Sequence, residues 1–323
     1  MKYKLPSICI LAIFFVSAFA QQVSTPAAQT QRAPAPRVTS FLEIYDVTTG
    51  ARKVVREFNY NVQAPNWTPD GKWLIYNSGG LLYKISPDIP GDSPQLINTD
   101  FVDRCNNDHV VSFCGTFIAL SASPAEIRQS YIYTVPIEGG IPQLVTPIGP
   151  SYLHGISPDG NFLAYCAGRD GNMDVYVIPT RGGRERRLTT AEGLDDGPEY
   201  SPCGKYIWFN SVRTGLMQVW RMNADGSEQT QMTFDEDFNT WFPHVSPDGK
   251  QVVMISYHKG DVDPGAHPAN KNVVLRLMPA EGGTPKTIVE LFGGQGTLNV
   301  HSWSPDSKRF AFVSYRLEET PAQ

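Results

Sequence analysis

Short apolar strands recur along this chain at even spacing, and each is preceded by a tight polar turn. The strands read Trp73–Tyr76, Phe117–Leu120, Phe162–Tyr165, Tyr206–Phe209, Val252–Ile255 and Phe310–Val313. The turns ahead of them begin at Thr68, Ser112, Ser157, Ser201, Ser246 and Ser304, so the spacings are 44, 45, 44, 45 and 58 residues. Most of these turns read Ser/Thr-Pro-Asp-Gly. Proline presets φ at the second position, Asp bonds back to the turn backbone, and Gly supplies φ > 0, so each turn is a hairpin.

A third strand follows in each repeat, at Leu82–Ile85, Tyr131–Val135, Val175–Ile178, Val219–Met222 and Val274–Met278, and leads through a Gly-containing turn to a short fourth strand. The sixth copy of this outer half is missing at the C-terminal end and stands instead at residues 42–50. A fixed period of this size predicts an all-β fold with one repeat per blade, a six-bladed β-propeller of four-stranded blades. The N-terminal strands complete the last blade, which closes the ring and removes sheet edges.

Ahead of the ring, Lys2 and Lys4 precede an apolar run from Ile8 to Val16 and then Ala18-Phe19-Ala20, which reads as a signal peptide over 1–20 cleaved after Ala20. Residues 21–37 are rich in Pro, Ala, Gln, Thr and Ser and read as a disordered linker, leaving 38–323 as the propeller. No later run reaches the ~20 apolar residues of a spanning helix. The expected location is periplasmic or secreted, and the expected state a monomer. Net charge is −5, and loss of Lys2 and Lys4 takes it to −7. With no basic run, nucleic acid is excluded as a partner. After the signal, Cys105, Cys114, Cys166 and Cys203 remain, with Cys114 and Cys203 at equivalent turns of non-adjacent blades; free or partly paired thiols are expected.

The residues just before each turn face the channel. Three places back stand Pro65, His109, His154, Pro198, Pro243 and His301; two places back stand Asn66, Val110, Gly155, Glu199, His244 and Ser302. Wherever the first set has Pro, the second supplies Asn, Glu or His, so each blade offers one polar group: Asn66, His109, His154, Glu199, His244 and His301. Neutral imidazoles with a carboxylate suit a divalent transition metal or acid–base chemistry; the bland alternative is that these rings bond backbone carbonyls and buried water. Loops entering the inner strands add carboxylates, amides and aromatics at 103–108, Tyr152, 195–196 and 235–242. An insertion at 257–271 brings His258 and His267 to the same face, and the loop 293–301 brings Gln295 and Asn299.

The lettering resembles the PD40 repeat, also called WD40-like, of TolB-like propellers over residues 41–316. That repeat also builds the propellers of prolyl oligopeptidase-like peptidases, and it is similar to that of oligogalacturonate lyases. No Gly-x-Ser-x-Gly elbow occurs, which excludes serine peptidase chemistry. TolB carries an α/β domain ahead of its propeller, whereas only the linker precedes the first strand here, which points away from a TolB-type role in envelope integrity. The lyases hold manganese with three His and one Gln and use a further His as base, on seven blades. By type, that resemblance implies a Mn or Zn ion on His109, His244, His301 and Gln295, with His154 and Glu199 catalytic. Asn66, Asp108, Tyr152, Trp241, His258 and Asn299 would then bind substrate. The leading expectation is a metal-assisted lyase acting on acidic oligosaccharides at the channel mouth. The alternative is a non-catalytic propeller binding an envelope protein or glycan through the same face, with an exposed patch at Phe238, Trp241 and Phe242. A third is a glycoside hydrolase using Asp108 and Glu199.

Overall fold

The turn residues close the hairpins through a repeated set of bonds. In the computed structural model, which describes residues 37–126 and 128–318, the first-position hydroxyl of each turn accepts the amide five residues on. The distances run from 2.9 Å at Ser157 to 3.2 Å at Ser112. In four turns that hydroxyl also donates to the Asp two places later, at 2.5 to 2.6 Å. In the other two a thiol takes the Asp place, with Cys114 and Cys203 Sγ each 3.4 Å from the serine Oγ. Both are exposed, Cys105 and Cys166 are buried, and all four are free. The expected signal peptide and all of the linker except Arg37 lie outside the described residues.

Five sheets have four strands in simple antiparallel order, spanning residues 63–97, 105–144, 151–187, 195–231 and 238–294, here blades 1 to 5. Blade 6 is split across the chain. Its outer strands Arg37–Asp46 and Arg52–Phe58 pair with each other, and Arg37–Asp46 lies along Arg309–Glu318 in register from Arg37↔Glu318 to Asp46↔Arg309. Its innermost place is taken by the irregular segment 297–303, joined through a Trp303↔Phe310 bridge and the bond from Ala311 N to Ser302 O at 2.9 Å. Neighbouring blades touch around the full circle, blade 6 against blade 1 included. Six four-stranded blades thus form the propeller that the repeat period predicts. Among the described residues there is no helix, and none long and apolar enough to cross a membrane.

The core lies between the blades, where Trp208, Trp241, Trp303, Tyr76, Tyr165, Phe209 and Phe312 are fully enclosed. Each inner strand runs from one end of the channel, where loops enter, to the other, where the repeated turns stand.

Candidate functional site

Register along the inner strands breaks ahead of the turn in five of the six blades. In blades 1 to 5 the shift falls between Gln63 and Asn66, Cys105 and His109, Leu153 and Gly155, Asp196 and Glu199, and Trp241 and His244. Where Pro stands three places before the turn, the residue ahead of it takes a left-handed φ: 53° at Ala64, 63° at Gly197 and 53° at Phe242. Proline removes a ladder donor and the bulge re-aims the next side chain. This is why Asn66, Glu199 and His244, one place later than the histidines of blades 2, 3 and 6, still face inward.

Glu199 is the centre of the turn-end group. Its Oε2 lies 2.5 Å from His244 Nδ1, and its Oε1 accepts from His301 Nδ1 and from Val245 N, both at 3.1 Å. Burial pushes this carboxyl up, but the His244 and His301 charges and bonds outweigh it and bring Glu199 down to about 2, so it is ionised. His244 Nε2 faces Leu298 O at 3.2 Å. Both nitrogens of His244 therefore face oxygens. Asn66 is spent on the backbone, donating to His301 O and accepting from Val111 N at 2.6 Å.

Above this group a cavity of about 180 Å³ opens at the turn end. Asn66, His154, Glu199 and His301 supply its polar lining, Trp67, Val111, Ile156 and Trp303 its walls, and Pro69, Phe113, Pro247 and Pro305 its rim. Three of these rim residues are Pro and one is Phe, and that Phe113 is 39% exposed.

A second group sits toward the loop end. His154 Nε2 lies 3.1 Å from Asp196 Oδ1, and His267 Nε2 lies 3.8 Å from Asp196 Oδ2. His267 comes from the insertion, whose flanking strands Gln251–His258 and Ala269–Pro279 leave only 259–268 as loop. Its ring packs 4.4 Å from Trp241 and 5.2 Å from Phe242 by centroid, and its Nδ1 bonds Gln295 Oε1. Gln295 in turn donates to Asn107 Oδ1 at 3.1 Å and accepts from Asn299 Nδ2 at 3.2 Å. Asp108 is buried beside these groups and is pushed up by that burial. Tyr152, half-buried, is raised by burial and then by Asp108.

Several expected site residues stand elsewhere. His109 faces blade 1, with Nε2 3.5 Å from Ile75 O and burial pushing it down to about 4, so it is neutral and apart from His244 and His301. Gln295 belongs to the loop-end network. Among the described residues no three His, Cys, Asp or Glu side chains are arranged to hold an ion, and the manganese-type set His109, His244, His301 and Gln295 does not fit one. Trp241 and Phe242 are 0% and 2% exposed, so the expected aromatic surface patch is core. They are enclosed because the bulge at Phe242 turns both rings inward against His267. His258 is exposed and packs on Phe238 at 4.9 Å; His267, not His258, reaches the channel. Asn299 staples its own loop, accepting from Gly296 N at 2.6 Å. Asp108 and Glu199 belong to different groups, and Glu199 is occupied by two histidines, which leaves that pair unsuited to hydrolysis.

For His154, burial acts downward but the Asp196 charge and hydrogen bond prevail and raise it. A group raised in the folded state stabilises fully below its ordinary value of 6.5, and that stability is lost as pH rises through the folded value. NMR titration should place His154 above 6.5 in the wild type and lower in Asp196→Asn. Between pH 5 and 9, the wild type should exceed Asp196→Asn in stability most on the acid side. A stability difference that grows toward alkaline pH would contradict the pairing.

A family profile described as the TolB beta propeller domain matches residues 126–277. An uncharacterized protein of Agrobacterium fabrum is 45% identical over 293 residues, covering 90% of this chain and 98% of its own length. A solved structure from Agrobacterium tumefaciens, provisionally designated TolB, superposes with a TM-score of 0.82 at 46% identity, covering 86% of this chain and 99% of that one. The Tol-Pal system protein TolB of Francisella tularensis is 27% identical over 259 residues; these cover 78% of this chain but only 56% of the Francisella protein. The chain belongs to the TolB-like β-propeller family.

Proposed function

We propose that this protein is an exported binding module that holds an envelope protein at the turn end of its channel. Export rests on Lys2, Lys4, the apolar run and Ala18-Phe19-Ala20. The observation that carries the binding reading is the turn-end cavity, with an apolar wall, a rim of proline and one exposed aromatic, and a floor whose carboxylate is already matched by imidazoles. Apolar pockets ringed by rigid residues receive the anchor side chains that dominate protein interfaces. Likeness to TolB, named as a Tol-Pal system protein in the Francisella relative, supports the protein-binding reading. The lyase reading finds no matching donor set in this channel.

Capture from an envelope extract with the wild type and with Phe113→Glu tests it. A stoichiometric partner held by the wild type and lost with Phe113→Glu is expected, with no turnover of uronate oligosaccharides. The same partner on both proteins, or formation of an unsaturated uronate product, would refute the reading.

A further inference from the structure

Between blades 2 and 3 the turn end carries a groove whose charges depart from the repeat. By register, Lys84, Thr134, Val177, Arg221 and Leu277 hold one position of the third strand in blades 1 to 5. The next blade presents the residue before a left-handed turn glycine: Glu138 before Gly139, Arg181 before Gly182 and Glu281 before Gly282. Between blades 1 and 2 the two positions match, with Lys84 Nζ 2.9 Å from Glu138 Oε2. Between blades 4 and 5, Arg221 and Glu281 line one groove. The groove of blades 2 and 3 instead joins Thr134 to Arg181, and no Asp or Glu lines it. Arg181 is exposed, and its side chain makes no hydrogen bond or ion pair among the described residues.

This groove is also wider than its counterparts, at about 950 Å³ against about 190 Å³ between blades 1 and 2 and about 450 Å³ between blades 4 and 5. The first residue after the turn is Lys72, Lys205, Lys250 or Lys308 in four blades, but Thr116 and Asn161 here, and both line the groove. Apolar side chains stand open beside the arginine, Ile141 at 71% exposure and Phe162 at 42%. Contiguous exposed apolar surface marks an interaction site, and an unmatched cation on it asks its partner for an anion.

We propose that the groove between blades 2 and 3 holds an extended segment of a partner protein, in which an Asp or Glu carboxylate meets Arg181 while a neighbouring apolar side chain covers Ile141 and Phe162. The planar guanidinium suits a carboxylate, which it takes through two parallel hydrogen bonds. The groove begins at the turns of blades 2 and 3, beside Phe113 and Ile156 of the channel cavity. The proposal therefore rests on the turn end being the binding end, and it names the chemistry of the partner where its chain leaves the cavity. The linker of this chain does not supply the match, because residues 21–36 contain Arg32 and no Asp or Glu.

Selection of phage-displayed random peptides on the full chain, repeated on Arg181→Glu, tests this. Arg181 is exposed and unpaired, so the variant should keep the wild-type unfolding temperature. Sequences enriched on the wild type should carry Asp or Glu next to an aliphatic or aromatic residue. A synthetic peptide of that kind should bind Arg181→Glu about tenfold more weakly, because reversal adds repulsion to a lost ion pair, and its affinity for the wild type should fall as salt rises. Replacing its acid by the amide should weaken binding to the wild type and not to Arg181→Glu. Absence of enriched sequences, enrichment without acids, or equal binding by Arg181→Glu overturns the proposal. Polyglutamate binding as tightly overturns it in favour of charge alone, and a self-associated form dispersed by Arg181→Glu overturns it in favour of a second copy of this chain. If Phe113→Glu loses the envelope partner while no acidic peptide is enriched, the partner reading stands and this one falls. If acidic peptides are enriched while Phe113→Glu keeps the same partner as the wild type, the groove stands and the cavity reading falls.

Discussion

Alanine at position 199 lowers the unfolding free energy by about 3–5 kcal/mol, because it removes one member of a buried ionic group and leaves the others uncompensated. His244 is 3% exposed and its second nitrogen stays on the Leu298 carbonyl, so its ring remains buried without the carboxylate. Val245 N also loses its acceptor. Glu199→Gln costs less, since the amide oxygen can still accept from Val245 N. Acid titration separates charge from packing. Glu199 is held at about 2 against an ordinary 4.5, so its ionic contribution is fully present above pH 4.5 and is lost as pH falls toward 2. Denaturant unfolding of the wild type and Glu199→Gln at several pH values should show their difference shrinking across that window. A difference that stays flat from pH 5 to 2.5 would mean that Glu199 acts by shape alone.

The same residues show what a one-dimensional reading can and cannot reach. The turns are local objects: the Ser157 hydroxyl, the Asp159 carboxylate and Gly160 act within five residues, so their lettering fixes each hairpin. Six such hairpins at one period then imply the ring, and the offset of the N-terminal strands implies how it closes. The inward-facing polar set was legible for a similar reason, since Pro65, Pro198 and Pro243 mark the bulges that move the polar residue one place along. Which of those groups meet was not legible. Glu199 joins His244 and His301 across two blade boundaries, over sequence separations of 45 and 102 residues, and nothing local distinguishes them from His109. Facing the channel is a property of strand alternation; depth and partner depend on blade tilt and on the neighbouring bulge. The aromatic residues 238–242 misled because they stand in a loop-like, acid-flanked stretch, whereas the strand Phe238–Val245 pulls Trp241 and Phe242 into the core. His267 carried no signal beyond its place in a long insertion. The cavity end was equally hidden: the loops hold the chemically rich residues, but His267, Gln295 and Asn107 bond one another there, and the space opens at the turn end through the rim around Phe113.

Removal of residues 37–58 abolishes cooperative folding, whereas moving the same two strands to the other terminus preserves it. Leu42, Ile44 and Phe58 are buried at 0%, 5% and 4% exposure. At about 1.5–3 kcal/mol for each enclosed side chain, their loss is comparable with the 5–15 kcal/mol that holds a typical domain together. The deletion also bares the full length of Arg309–Glu318, which pairs with Arg37–Asp46 at all ten positions, and a long unpaired edge invites association. Glu43, buried and gripping Arg52 and Ser314, leaves with its arginine, so no lone charge remains and the loss is one of closure and packing. Because Arg37 lies opposite Glu318, a hairpin-length Gly/Ser link can join 318 to 37, with the new start placed between Phe58 and Gln63. The ring contacts are then the same and only the chain order differs, so the permuted protein should unfold in one transition within a few degrees of the native sequence. The truncated chain should show no such transition and should sediment as aggregates. If instead it melts cooperatively at the native temperature, blade 6 does not need its outer strands and the inner strands alone hold the ring.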